Sequence, residues 1–135
     1  MDRELKSAVL VTGGAGYIGS HTAKALHEQG YLPVVYDDLS SGFREAVQWS
    51  PLVQGDLRDA SAIGKAIATH GIKAVIHLAG LIEVGRSTAK PDLFWDVNVA
   101  GTVTFSPPCA SMRSLAWFSR QAQPSMGRAV AARTN

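Results

Sequence analysis

Gly13-Gly14-Ala15-Gly16-Tyr17-Ile18-Gly19 spaces three glycines at three-residue intervals between an apolar run and an amphipathic one. That order restricts the local fold to a strand, a tight turn and a helix. The run before it, Ser7 to Thr12, is short and almost continuously apolar, as suits a parallel strand buried on both faces. After the turn, Ile18, Thr22, Ala25 and Leu26 recur at helical spacing from Tyr17 to Gln29, and Gly30 supplies a C-terminal cap. Each glycine has its own reason in such a setting. Gly13 permits the tight turn, Gly16 lets a pyrophosphate approach backbone with no Cβ between them, and Gly19 lets the helix pack closely on the strand. Tyr17 and Ile18 belong to the same loop, at a helix start whose N–H groups and positive dipole end favour phosphate.

The remaining pattern repeats the alternation. Leu32 to Tyr36 is a second apolar run closed by Asp37-Asp38, and Leu52-Val53 before Gly55-Asp56 is a shorter third. Ala60 to His70 reads as a helix with Ile63, Ala66 and Ile67 on one face and Gly71 past its end, and Ala74 to Leu78 reads as a fourth strand. Pro91 suits the first turn of another helix through Leu93, Phe94 and Val97 towards Gly101. Strands alternating with helices over short links predict an α/β fold, a Rossmann-type doubly wound parallel sheet of about four strands, with an irregular C-terminal tail. A nucleotide site then belongs at the carboxyl ends of the strands.

Asp37 closes strand two at about the offset from the glycines where an acid takes the adenosine ribose hydroxyls, and its charge would repel a 2′-phosphate. NAD is therefore expected over NADP. Asp38 is adjacent and able to share the role, and Asp56-Leu57 after strand three is placed to meet the adenine edge. His21, His27, His70 and His77 are scattered without a second ligand beside them, and the single Cys109 has no partner thiol, so no metal site is expected. Glu83 and Arg86 read as loop charges.

Taken together, G-G-A-G-Y-I-G-S-H, V-V-Y-D-D-L, G-D-L-R-D, V-I-H-L-A-G-L-I-E-V-G-R-S and P-x-x-F-W-D-V-N-V-A-G-T resemble the UDP-glucose 4-epimerases across nearly all of residues 8–104. These are NAD-dependent members of the extended short-chain dehydrogenase/reductase, or epimerase/dehydratase, group. The segment from Ala79 to Ser87 favours the epimerases over the related 4,6-dehydratases. The resemblance implies that Leu78, Ala79 and Gly80 line the NAD pyrophosphate and ribose, that Asn98 contacts the cofactor, and that Val84 abuts the sugar side of the pocket. It further implies a UDP-hexose substrate, hydride exchange at C4 with NAD and a homodimer; the cytoplasmic location expected here is read separately, from the lack of a signal-type start and the single Cys109. Many epimerases carry Lys where this chain has Ile82, which removes that contact. The family's catalytic Tyr-x-x-x-Lys is not recognisable, because the last Tyr is Tyr36 and the last Lys is Lys90. No catalytic residue is assigned on this basis, and a cofactor-binding part without turnover is expected. A non-catalytic NAD-responsive module and a part of another nucleotide-sugar dehydratase or reductase stay open as alternatives.

Residues 1–104 form the NAD-binding part, and residues 105–135 depart from it. The first segment holds 9 Lys+Arg and 11 Asp+Glu; the second holds Arg113, Arg120, Arg128 and Arg133 and no acid. A basic tail for nucleic acid would need an aromatic platform or a helical stripe, and neither is present, so no nucleic-acid partner is expected. No apolar stretch is long enough for a membrane span, and no signal-type start is seen. The tail reads instead as family sequence in a shifted frame. If each hidden codon takes the last base of one codon and the first two of the next, Phe118 to Gly127 permits F-S-S-S-A-A-V-Y-G, which resembles the family's strand five and its serine segment. The tail as written has no period-two strand, so strand four is expected to be an exposed edge that invites association.

Overall fold

The computed structural model describes residues 6–80, 89–95, 116–120 and 129–132. Strand β1 (Ala8–Thr12) is buried at all five positions and lies between β2 (Leu32–Asp37) and β4 (Ile72–His77), with β3 (Leu52–Gln54) outside β2. These four strands are parallel, in the order β3-β2-β1-β4. The order reverses between β1 and β4, so the carboxyl ends of those strands face the crevice where doubly wound sheets take ligands.

Helix α1 (Tyr17–Glu28) carries the chain from β1 to β2, and α2 (Ala60–His70) carries it from β3 to β4. The two crossovers run in opposite directions across the sheet, so right-handedness puts the helices on opposite faces. Ile63, Ala66 and Ile67 of α2 join Leu10, Val34, Tyr36, Ile72 and Val75 in one buried cluster. Alternation along the strands turns Val9, Val11 and Val35 to the other face, where α1 buries only Gly19 and Ala23 and so lies close to the sheet. Asp59 caps α2 by accepting from the Ala62 N–H at 3.0 Å, and Gly71 ends it with φ 59°. The expected Gly30 follows the Gln29 cap of α1 with φ 86°.

Two expectations need correction. Strand β4 begins at Ile72, not Ala74, and ends at His77, not Leu78. Its register against β1 shifts between the Ala8↔Ile72 and Val9↔Ala74 pairs, and this irregularity leaves Lys73 exposed without ending the strand. The four-strand parallel sheet is as expected, and the second correction concerns only the exposed edge expected at β4, where β5 (Ala116–Arg120) pairs parallel with β4, and β6 (Ala129–Ala132) pairs antiparallel with β5. Among the described residues the sheet therefore has six strands, in the order β3-β2-β1-β4-β5-β6, and β4 is not an edge. A strand edge recruits an extended neighbour through backbone groups, so the lack of a period-two pattern did not prevent pairing. Helix α3 (Pro91–Trp95) starts at Pro91 as expected; its expected continuation through Val97 to Gly101 lies outside the described residues.

Candidate functional site

The glycine loop is packed against protein on one side and open on the other. Gly13 has φ 70°, and a Cβ built there would fall 2.7 Å from the Ala79 nitrogen and 2.9 Å from the Leu78 carbonyl carbon. The chain after β4 thus lies directly on the turn after β1. A Cβ at Gly19 would overlap the Gly13 carbonyl oxygen, and one at Gly14 would meet the Val35 side chain at 2.6 Å. Gly16 differs, because its nearest neighbour would be the Gly13 oxygen at 3.4 Å, an ordinary contact. Its backbone, φ −81° and ψ 178°, suits any residue. Protein packing among the described residues does not explain a glycine there.

Gly16 is also the N-cap of α1, with no side-chain hydrogen bond at the cap and no acid in the first turn. The helix start is thus left to an external acceptor. Tyr17 and Ile18 are 82% and 44% exposed, so their side chains stand outside the core and their backbone forms the open rim. No carboxylate of α1 competes with an anion at this end.

Asp37 holds the loop to the end of β2. Its Oδ2 accepts from the Ala15 N–H at 3.0 Å and its Oδ1 from the Leu39 N–H at 2.8 Å, which leaves acceptor capacity on both oxygens. Asp38 is turned to its own loop, where Oδ1 accepts from the Ser40 N–H at 2.9 Å. Of the two adjacent acids, the structure brings Asp37 to the glycines. The Phe43 N–H donates to the Ala15 oxygen at 3.1 Å, and Gly42 sits where a Cβ would meet Ala15 at 2.8 Å, so the loop after β2 also leans on the glycine turn.

Beneath the site is a buried pair that the sequence left among scattered histidines. Thr12 Oγ1 lies 2.6 Å from His77 Nδ1, and the same oxygen accepts from the Leu78 and Ala79 N–H groups at 3.1 and 3.3 Å. The Leu78 N–H is shared with the Thr12 carbonyl oxygen, also at 3.1 Å, and the direction of the Thr12–His77 hydrogen bond follows the tautomer of the ring. Burial pushes the His77 pKa down to about 4 and keeps the ring neutral near pH 7. Leu78 and Ala79 follow as the wall beside Gly13, and Gly80 is next in the chain. In the turn after β3, the Asp56 carboxylate is held below the usual range, chiefly by hydrogen bonds from the Arg58 side chain, and Leu57 is buried in the core. Val84, Asn98, Ile82, Glu83 and Arg86 lie outside the described residues.

A glycine turn at the switch point of a doubly wound sheet, backed by a strand-end carboxylate, is the arrangement of the Rossmann-type class of α/β proteins. The profile of the NAD dependent epimerase/dehydratase family matches residues 9–113, and the chain belongs to that family. It is 51% identical over 96 residues to the UDP-glucose 4-epimerase of Rhizobium meliloti (strain 1021), a match covering 71% of this chain and 29% of that protein. Among solved structures, UDP-glucose 4-epimerase from Brucella ovis in complex with NAD superposes with a TM-score of 0.78 at 42% identity, over 83% of this chain and 35% of that one. The epimerase from Stenotrophomonas maltophila with bound NAD and formylated UDP-arabinopyranose gives 0.78 at 33% identity, over 83% and 36%. The chain thus spans about a third of the length of these relatives. Among the described residues, no helix is long and apolar enough to cross a membrane.

Proposed function

We propose that this chain is the NAD-holding part of a UDP-glucose 4-epimerase and does not turn over UDP-galactose by itself. The observation that carries the reading is the contrast at the glycine loop, where Gly13, Gly14 and Gly19 are required by packing and Gly16 is not. A pyrophosphate seated on the open face accounts for Gly16, with Tyr17 and Ile18 offering their backbone at the helix start. In this reading Asp37 takes the adenosine ribose and excludes a 2′-phosphate, with Asp38 beside it. Asp56 and Leu57 meet the adenine, and Leu78, Ala79, Gly80 and Asn98 line the remainder of the cofactor. Val84 borders the UDP-hexose. NAD, when bound, supplies a hydride acceptor and donor, and the chain's own residues bind and orient it.

The absence of Tyr-x-x-x-Lys from these 135 residues supports the lack of turnover. We read residues 105–135 as family sequence in a shifted frame, which resequencing of the codons for Asn98 to Gly127 tests through a restored F-S-S-S-A-A-V-Y-G. The function is tested by thermal melts of the chain with NAD, NADP or UDP-galactose, alongside an epimerase assay. The expected result is a melting temperature raised by NAD and much less by NADP, with no formation of UDP-glucose. Equal stabilisation by both dinucleotides removes the role of Asp37, no stabilisation by either removes the cofactor reading, and turnover removes the claim of inactivity.

A further inference from the structure

Strand β3 is an edge strand of three residues, and its ladder with β2 stops at Gln54. The turn that follows is held by other means. Gly55 N–H donates to the Asp37 oxygen at 3.1 Å, and the Tyr36 hydroxyl donates to the Asp56 carbonyl oxygen at 2.7 Å. That carbonyl also accepts from the Asp59 N–H at 3.1 Å, and Asp59 caps α2. Gly55 is the residue that admits the phenol, since a Cβ there would overlap the Tyr36 hydroxyl oxygen. Leu57, 8% exposed, anchors the turn from below.

The Asp56 side chain is fixed as firmly as its backbone. Arg58 donates to Oδ1 from its backbone N–H at 2.8 Å and from Nε at 2.9 Å, and to Oδ2 from its terminal nitrogen at 2.7 Å. Three donors on a group with about four acceptor sites leave room for one more hydrogen bond. Tyr36 is 1% exposed within an otherwise apolar cluster, where a phenylalanine would fill nearly the same space. The hydroxyl therefore adds a constraint on the turn, and little to the packing. Burial, followed by the charges of Asp59, Asp56 and Asp38, pushes the phenol up to about 12, so it remains a donor at ordinary pH.

We propose that Tyr36 is a positioning residue whose hydroxyl fixes the Asp56–Leu57 turn as the purine-reading edge of the site and so sets a preference for adenine over a 6-oxo purine. The inference rests on the cofactor reading above. It is tested by titrating NAD and nicotinamide hypoxanthine dinucleotide, which has an oxo group in place of the 6-amino group, into the wild-type chain, Tyr36→Phe and Gly55→Ala. The wild type is expected to favour NAD. Tyr36→Phe should weaken NAD binding about tenfold, as expected for loss of one buried hydrogen bond, with a smaller change for the analogue. Gly55→Ala should shift the ratio the same way by displacing the hydroxyl while keeping the ring. Variants that keep the wild-type ratio, with only a lower melting temperature, would overturn the proposal in favour of a purely structural tyrosine. A wild type that binds both dinucleotides equally removes the purine-reading edge but leaves the cofactor reading standing. One that binds neither removes both.

Discussion

The two sides of the glycine loop carry the same residue type for different reasons. On the inner side, Gly13, Gly14 and Gly19 are pressed against Ala79, Val35 and the loop itself, and a methyl group has no space. On the outer side, Gly16 has an unstrained backbone and one neighbour at van der Waals distance. Packing accounts for the inner glycines, and the proposed pyrophosphate would account for the outer one. A glycine motif read only as a string merges these two demands, which mutation separates.

Gly19→Ala should break the inner side outright. Helix propensity favours the alanine by about 1 kcal/mol, but the Cβ overlaps a backbone oxygen that cannot rotate away. The expected loss is about 4 kcal/mol or more, read as failure to show a cooperative melt. A stable Gly19→Ala protein would mean that α1 does not lie against the turn.

Acid tests the same side through His77. Its folded pKa, about 4, lies below the unfolded value near 6.5, so the unfolded chain binds the proton first as pH falls. Stability should therefore be full above about pH 6.5 and decline towards pH 4, by about 3 kcal/mol if the whole shift is expressed. Urea midpoints across that window should fall in the wild type and fall less in His77→Asn, whose amide oxygen can accept the Thr12 hydroxyl. Equal slopes would assign the acid sensitivity to other groups.

Asp37 touches both sides, since it ties Ala15 to the end of β2 and presents its remaining acceptor sites outward. Asp37→Ala should cost about 2 kcal/mol from two amides left without their carboxylate. It should also narrow the gap between NAD and NADP in a melt. A stability loss with an unchanged dinucleotide preference would confine Asp37 to the inner side.

The smallest expected effect on stability belongs to Gly16→Ala. At this φ and ψ, alanine gains up to about 1 kcal/mol by reducing the freedom of the unfolded chain and loses a similar amount as a poorer N-cap than glycine, so the change should be near neutral. A large loss on thermal melting would erase the distinction between the two sides.

The parts legible from sequence were those where the backbone demand falls on residue type. Continuous burial of Ala8–Thr12 and the positive-φ glycines that end the helices, Gly30 after the Gln29 cap and Gly71, leave direct traces, and the boundaries of α2 were readable to the residue. What escaped was decided by partners distant in the chain. Thr12 and His77 are 65 residues apart, and neither residue type signals the other. The choice of Asp37 over Asp38 depends on which carboxylate faces Ala15. Tyr36 looked like one more apolar strand residue until its hydroxyl met Asp56. Strands β5 and β6 were missed because the edge of β4 supplies a backbone template that side-chain periodicity does not record.

The central claim is that the outer face of the glycine loop is a pyrophosphate seat, and calorimetric titration of NAD into wild-type and Gly16→Ala chains of equal melting temperature tests it most directly. The account predicts that the alanine variant binds NAD at least about tenfold more weakly, because its methyl group occupies the space of the phosphate oxygens. Unchanged affinity in the variant would contradict it, since nothing would then rest where Gly16 leaves the loop open.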